Sequence, residues 1–283
     1  MLGPWLDWTT QQWVKKTGRR LDARTESWLD GPAGGPYIGD RWLAPYAESV
    51  DAEVVHATTG GLLESMAALN QPGFSADLLH PRVVEFYEAT SDWRLEVWSR
   101  WSAWLRPLGL AIAGLFARRL QQLNLPLDPM ETSRGMTSEV KPVVARDGSH
   151  LGTAWQRTLR ANGQTVFGGY YGVVTLPTSE YPSIRVVFPL PNGSVTVFLR
   201  PENSGDGGLR LRSGGGSWGE TGAYLVVRGH DDELWSRRVP LPERFEVFVD
   251  DEGVLRAEHH LRFLNWPVLH LHYRMEHETH RDR

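Results

Sequence analysis

Two runs near the C-terminus hold the residue types most capable of chemistry. Along a β-strand successive side chains point to opposite faces, so in LRAEHHLRF the residues Leu255, Ala257, His259, Leu261 and Phe263 form one row. Arg256, Glu258, His260 and Arg262 form the other. His259 therefore stands on the apolar row. An imidazole there is either a core side chain bonded to a hydroxyl such as that of Tyr273, or a general base oriented by a neighbour. In the next run, VLHLHYRM, Leu269, Leu271, Tyr273 and Met275 are apolar, whereas His270, His272 and Arg274 are polar. The two odd-numbered rows share a face if the connection has an odd number of residues. A five-residue loop sets His259 opposite Tyr273, and a three-residue loop sets Ala257 opposite Tyr273. Upstream, HLGTAWQRTLR has Thr153, Trp155, Arg157 and Leu159 as its more apolar row. An inward guanidinium is costly without a partner, so Arg157 is expected to meet a structural acid, Glu139 or Glu243, or an anionic ligand. Trp155, Arg157, His259, Tyr273 and Glu243 are the candidate ligand-binding set.

Other chemistry finds less in the sequence. His270 and His272 alternate on one face, with His277 and His280 following, but such a group also suits a solvated tail and no acidic ligand is fixed by spacing, so no metal site is assigned. Gly214-x-Gly216-x-x-Gly219 matches a dinucleotide fingerprint in letters, yet it precedes the strand-like AYLVV rather than a helix and reads as a glycine-rich turn. HExxH, P-loop and EF-hand patterns are absent, and Asp231-Asp232 and Asp250-Asp251 are turn residues. No catalytic residue and no cofactor are assigned. With no cysteine there is no disulfide, thiolate catalysis or Cys-ligated metal.

The chain that must position these residues has 283 of them, 41% hydrophobic and 23% charged, with a formal net charge of −4. That composition supports a large buried core and argues against a nucleic-acid backbone binder, which must neutralise many phosphates. The start, MLGPWLDWTTQQWVKK, lacks the order of a secretory signal, so a cytoplasmic location is expected, with peripheral membrane contact as an extension. Of the 13 Trp, most precede Asp128. Trp suits cores, interfaces and membrane boundaries alike.

The first 125 or so residues read as helices with Gly/Pro punctuation. Trp5 to Lys16 has Pro4 before it and Gly18 after it, and HPRVVEFYEAT has Pro81 at a first helical position. Ala52 to Asn70 is a candidate helix that Gly60-Gly61 interrupts. From Asp92, Val97, Trp101, Trp104, Leu105, Leu108, Ile112 and Leu115 fall on one helical face, with Pro107 dividing it. Its apolar stretch is too short to cross a bilayer, which needs about 20 residues. It suits a buried helix or one lying on a membrane, so Trp98, Trp101, Trp104 and Arg106 are the candidate membrane or partner surface. After Glu139, short strands separated by Asp147-Gly148, Asn162-Gly163, Asn192-Gly193, Gly207-Gly208 and Glu252-Gly253 predict an antiparallel sheet that curls or closes.

Several motifs, in order, resemble the soluble C-terminal region of YndJ-like proteins, a bacterial family of unassigned activity. They are HPRVVEFYEAT at His80, QLNLP at Gln122, AWQRTL at Ala154, FPLPNGS at Phe188, GETGAYL at Gly219, LPERF at Leu241, and LRAEHHLRF followed by VLHLHY. Residues that match one by one are Phe86, Tyr87, Glu88, Gln122, Asn124, Trp155, Arg157, Glu243 and His259; Ala89 stands where the family has Asn. Family members can carry membrane-spanning segments before this region, whereas residues 1–79 here are expected to contain none, so a membrane location does not carry over with the resemblance. It implies no catalytic residue either.

The expected architecture is α+β. Residues 1–79 form a helical extension, 80–131 Trp-rich helices, 132–276 a barrel-like antiparallel sheet of about ten strands, and 277–283 a polar tail. The expected function is binding of an amphipathic small molecule or lipid in the barrel. The alternatives are an enzyme with His259 as general base, or a partner-binding protein using its Trp-rich face.

Overall fold

The computed structural model describes residues 3–22, 24–34, 41–55, 60–101, 136–160, 162–163, 165–214, 216–229, 233–263 and 266–277. Among the described residues, three helices belong to the N-terminal part: α1 (Gly3–Thr17), α2 (Leu43–Ser49) and α3 (Pro81–Glu88). The strands are β1 (Arg19–Arg20), β2 (Ala52–Val54), β3 (Trp93–Trp101), β4 (Met136–Ala145), β5 (His150–Leu159), β6 (Thr165–Thr175) and β7 (Pro182–Leu190). They continue as β8 (Gly193–Ser204), β9 (Gly208–Ser213), β10 (Gly222–Arg228), β11 (Leu234–Val239), β12 (Glu243–Val249), β13 (Leu255–Phe263) and β14 (Trp266–His277).

Ten strands close a barrel in the order β8-β7-β6-β5-β4-β3-β14-β13-β12-β9, and β9 returns to β8. Each of these pairs is antiparallel. The sheet forks at β8, whose first half pairs with β10 and whose second half pairs with β9. β11 and β1 extend the β10 branch, and β2 adds to β4. The described residues are thus mostly β, and the α+β expectation holds only in part: the barrel dominates over three helices.

Local chemistry explains most of the elements. His80 caps α3, its Nδ1 accepting a hydrogen bond from the Arg82 N–H at 3.2 Å, with Pro81 at the next position, where no donor is lost. Gly18 ends α1 by donating to the Val14 carbonyl at 2.7 Å. The helix predicted over Ala52 to Asn70 does not form. β2 and a 3₁₀ turn at Met66–Leu69 stand in its place, consistent with the β-branched Val54 and Val55. α2, which sequence patterning missed, is a short helix whose Leu43 and Ala47 are buried.

The clearest departure is β3. The run from Trp93 fits a helical face from Val97 onward, yet it also alternates, and Trp93, Leu95 and Val97 are all buried on one row. Pairing with β14 along its whole length decides in favour of the strand. The rest of the predicted amphipathic helix lies outside the described residues.

Both faces of the sheet are covered over part of its width. α2 lays Trp42, Leu43 and Ala47 on the outer side of Val143, Ala154, Tyr170 and Val187. Trp28 and Leu29 do the same over Phe198, Tyr224 and Val226. Two-sided burial accounts for the near-continuous apolar runs of β8 and β10. α3 joins the inner core, its Phe86 ring lying 6.3 Å from that of Trp155. On β13 the inward row is apolar and the outward row carries Arg256, Glu258, His260 and Arg262, the reverse of a membrane-spanning barrel.

The two readings of the β3 segment separate in a stability experiment. Leu95, off the helical face but buried in the strand, should lose about 2–5 kcal/mol on substitution by Ala in urea unfolding. Arg100→Ala, on the exposed row, should stay within about 0.5 kcal/mol of wild type.

Candidate functional site

Inward rows from nine of the ten barrel strands (all but β4), closed over by α3, surround a cavity of about 150 Å³ inside the barrel. Its wall is almost wholly aliphatic and aromatic. Trp155, Arg157, Glu243, His259 and Tyr273 all line it, so the four residues singled out from strand parity and one of the acids expected near Arg157 come together. The β13–β14 register sets Ala257 opposite Tyr273 and His259 opposite Leu271, the pairing expected of the shorter connection.

Arg157 is 5% exposed. Its guanidinium carbon lies 4.2 Å from the Trp155 ring centre, 4.1 Å from that of Phe167 and 5.6 Å from that of Tyr273. Aromatic faces offset part of the cost of burying a cation, each such contact being worth about 2 kcal/mol when desolvated. They supply no counter-charge. Neither acid expected to pair with Arg157 does so: Glu139 bonds Lys141 at 3.0 Å, and Glu243 bonds His259. The Nε of Arg157 is buried without a hydrogen-bond partner.

His259 is held by Glu243 rather than by the Tyr273 hydroxyl. Its Nε2 is 3.1 Å from Glu243 Oε2, and its ring stacks on Phe245 at 3.7 Å between centres and 15° between planes. Phe245 faces His259 directly across β12 and β13, and the first residue of β12 is Glu243, so one strand supplies both contacts. The dyad fixes the ring orientation, as a general base requires.

Tyr87, Tyr171 and Phe167 also line the cavity and were not singled out from sequence. The same parity finds two of them, because Thr153 pairs with Tyr171 and Arg157 with Phe167. Burial holds the phenols of Tyr171 and Tyr273 above the usual range, and the charge of Arg157 pulls both partly back. Tyr87 is raised by burial as well, with Tyr171 adding to the effect.

The proposed Trp surface is only partly described. Trp98 is 47% exposed on the outer face of β3, its ring 5.7 Å from that of His272. Trp104 and Arg106 lie outside the described residues, as does the Trp101 side chain. Elsewhere Trp28, Trp42, Trp93 and Trp155 are buried, whereas Trp13 and Trp266 are exposed.

Two measurements follow from this electrostatic arrangement. Because Arg157 has no carboxylate partner, Arg157→Met should leave the unliganded protein within about 1 kcal/mol of wild type or more stable in urea unfolding; a loss of 3–5 kcal/mol would reveal a hidden buried ion pair. Phenols whose folded pKa is raised stabilise fully below their unfolded pKa near 10, and that contribution is lost as pH rises above it. Tyr273→Phe should therefore flatten the decline of thermal stability above pH 10, while an unchanged slope would count against a buried phenol.

No family model and no solved structure matches the chain. Among curated proteins, the uncharacterized membrane protein YndJ of Bacillus subtilis (strain 168) is 30% identical over 267 residues, 94% of this chain and 46% of that protein. The chain thus spans about half the length of the curated relative it matches. The similarity expected to begin near His80 also takes in most of residues 1–79. That relative is named a membrane protein; among the described residues of this chain no helix is long and apolar enough to cross a membrane. Over almost its entire length the chain is similar to that relative.

Proposed function

We propose that this protein is a non-enzymatic binding protein that holds an amphipathic small molecule or lipid inside its barrel. The observation that carries the reading is Arg157, 5% exposed, lining an apolar cavity with no carboxylate in ion-pair range among the described residues. A ligand with one anionic group and an apolar body completes both halves of that environment. The head meets the guanidinium, which offers a planar fork of donors, and the body meets the aliphatic wall. A cavity of about 150 Å³ is the size of one that accepts a benzene-sized molecule, so a compact carboxylate or the end of a single chain fits the space better than a whole lipid.

A second reading rests on the 3.1 Å contact between His259 and Glu243. A carboxylate-oriented imidazole beside a substrate pocket is the arrangement of a general base, and in that reading the protein is an enzyme. Arg157 would then orient an anionic substrate.

Calorimetric titration with octanoate and with octanol tests the first reading. Wild type should bind octanoate, Arg157→Leu should bind it at least tenfold more weakly, and octanol should not distinguish the two proteins. Octanoate affinity that is unchanged in Arg157→Leu sinks the anion-binding role. Native mass spectrometry of protein purified from its own host should show a bound amphiphile released by solvent extraction.

A further inference from the structure

On the outside of the barrel, the even-numbered rows of β13 and β14 place four donors on one small square of sheet. Glu258 stands opposite His272 and His260 opposite His270 in the antiparallel register. Glu258 reaches both histidines of β14, one oxygen contacting His270 Nε2 and the other lying 2.6 Å from His272 Nδ1. The rings of His260 and His270 stack with centres 4.3 Å apart. A carboxylate oxygen of Glu258 and one ring nitrogen each of His260 and His270 all lie within 4.8 Å of one another. His260 makes no side-chain hydrogen bond among the described residues, which leaves a nitrogen free to coordinate.

We infer that Glu258, His260 and His270 form a site for a divalent transition-metal cation of the zinc class. Two imidazoles and one carboxylate are a donor set that zinc accepts, whereas calcium and magnesium prefer oxygen alone. Ligand atoms around tetrahedral zinc lie roughly 3.3 Å apart, so His260 must draw in while the direct Glu258–His270 contact opens to admit the ion. They have the freedom to do so: Glu258 and His270 are 23% and 30% exposed, and an ion reaches them from solvent. His272 holds the second oxygen of Glu258, the kind of outer contact that orients a metal ligand.

Two of the nearby arginines are held by carboxylates, while Arg100 of β3 stands opposite His270 with its side chain exposed. Arg256 lies 3.4 Å from His272 Nε2, but Asp250 holds it at 2.6 Å and Glu252 at 3.7 Å. Arg244, across from His260, is bonded to Glu246. A cation bound here ties β13 to β14 on the reverse side of the wall that carries His259 and Tyr273. The site is independent of what the cavity holds.

The test uses the full chain, dialysed against a chelator and then titrated with zinc chloride by calorimetry, with cobalt(II) absorption as a second readout. Wild type is expected to bind about one equivalent and to give the visible bands of a low-coordinate cobalt site. His270→Ala and Glu258→Gln, both on the outer face, should each weaken zinc at least tenfold, with circular dichroism confirming the fold. The double variant His277→Ala, His280→Ala should bind as wild type does. No uptake by wild type overturns the inference, as does an affinity that follows the double variant instead of His270→Ala.

Discussion

Closing ten antiparallel strands into a barrel encloses more space than inward side chains fill. At about eight strands the interior is just wide enough for side chains to occupy it; here ten strands close the ring and a cavity of about 150 Å³ remains. Everything notable about the interior follows from that surplus. Bulky aromatics such as Trp155, Phe167 and Phe245 narrow the space, and Phe86 and Tyr87 of α3 close over it. What is left is an apolar chamber into which a few polar groups project.

Within the chamber, Arg157 and the His259–Glu243 pair are treated differently by their surroundings. The imidazole and carboxylate satisfy one another at 3.1 Å, whereas the guanidinium is cushioned by ring faces that lower its energy without neutralising it. A buried cation kept on those terms is expensive for the fold and valuable for recognition, because an incoming anion recovers what burial cost. The register shift between Arg157 and Thr158 on β5 adds a local irregularity beside the same residue, a position where bulges commonly re-aim side chains.

The two faces of β13 and β14 divide the chemistry of the molecule. Inward, His259 and Tyr273 stand among apolar neighbours; outward, one residue away in each strand, His260 and His272 meet Glu258 and His270 in contact with water. Because a strand alternates at every residue, one short sequence serves both the cavity wall and the surface cluster. The exposed Trp98 borders the outer cluster through His272.

Strand alternation is local, so the sequence alone determined which residues of β5, β13 and β14 share a face, and hence that Trp155, Arg157, His259 and Tyr273 point the same way. Turn residues marked the strands after Glu139, and Pro81 marked α3. Three things were decided only by tertiary structure. Whether Trp93 to Trp101 is helix or strand could not be read locally, because its apolar residues satisfy both periods until β14 supplies a partner edge. Which acid meets His259 depended on the β12–β13 register, since Glu243 and His259 lie on different strands and Tyr273 was an equally good local partner. Arg157 was left without a carboxylate for the same reason: the separation of charges across a closed barrel is set by how distant strands are ordered around the ring, and no spacing within one strand encodes it.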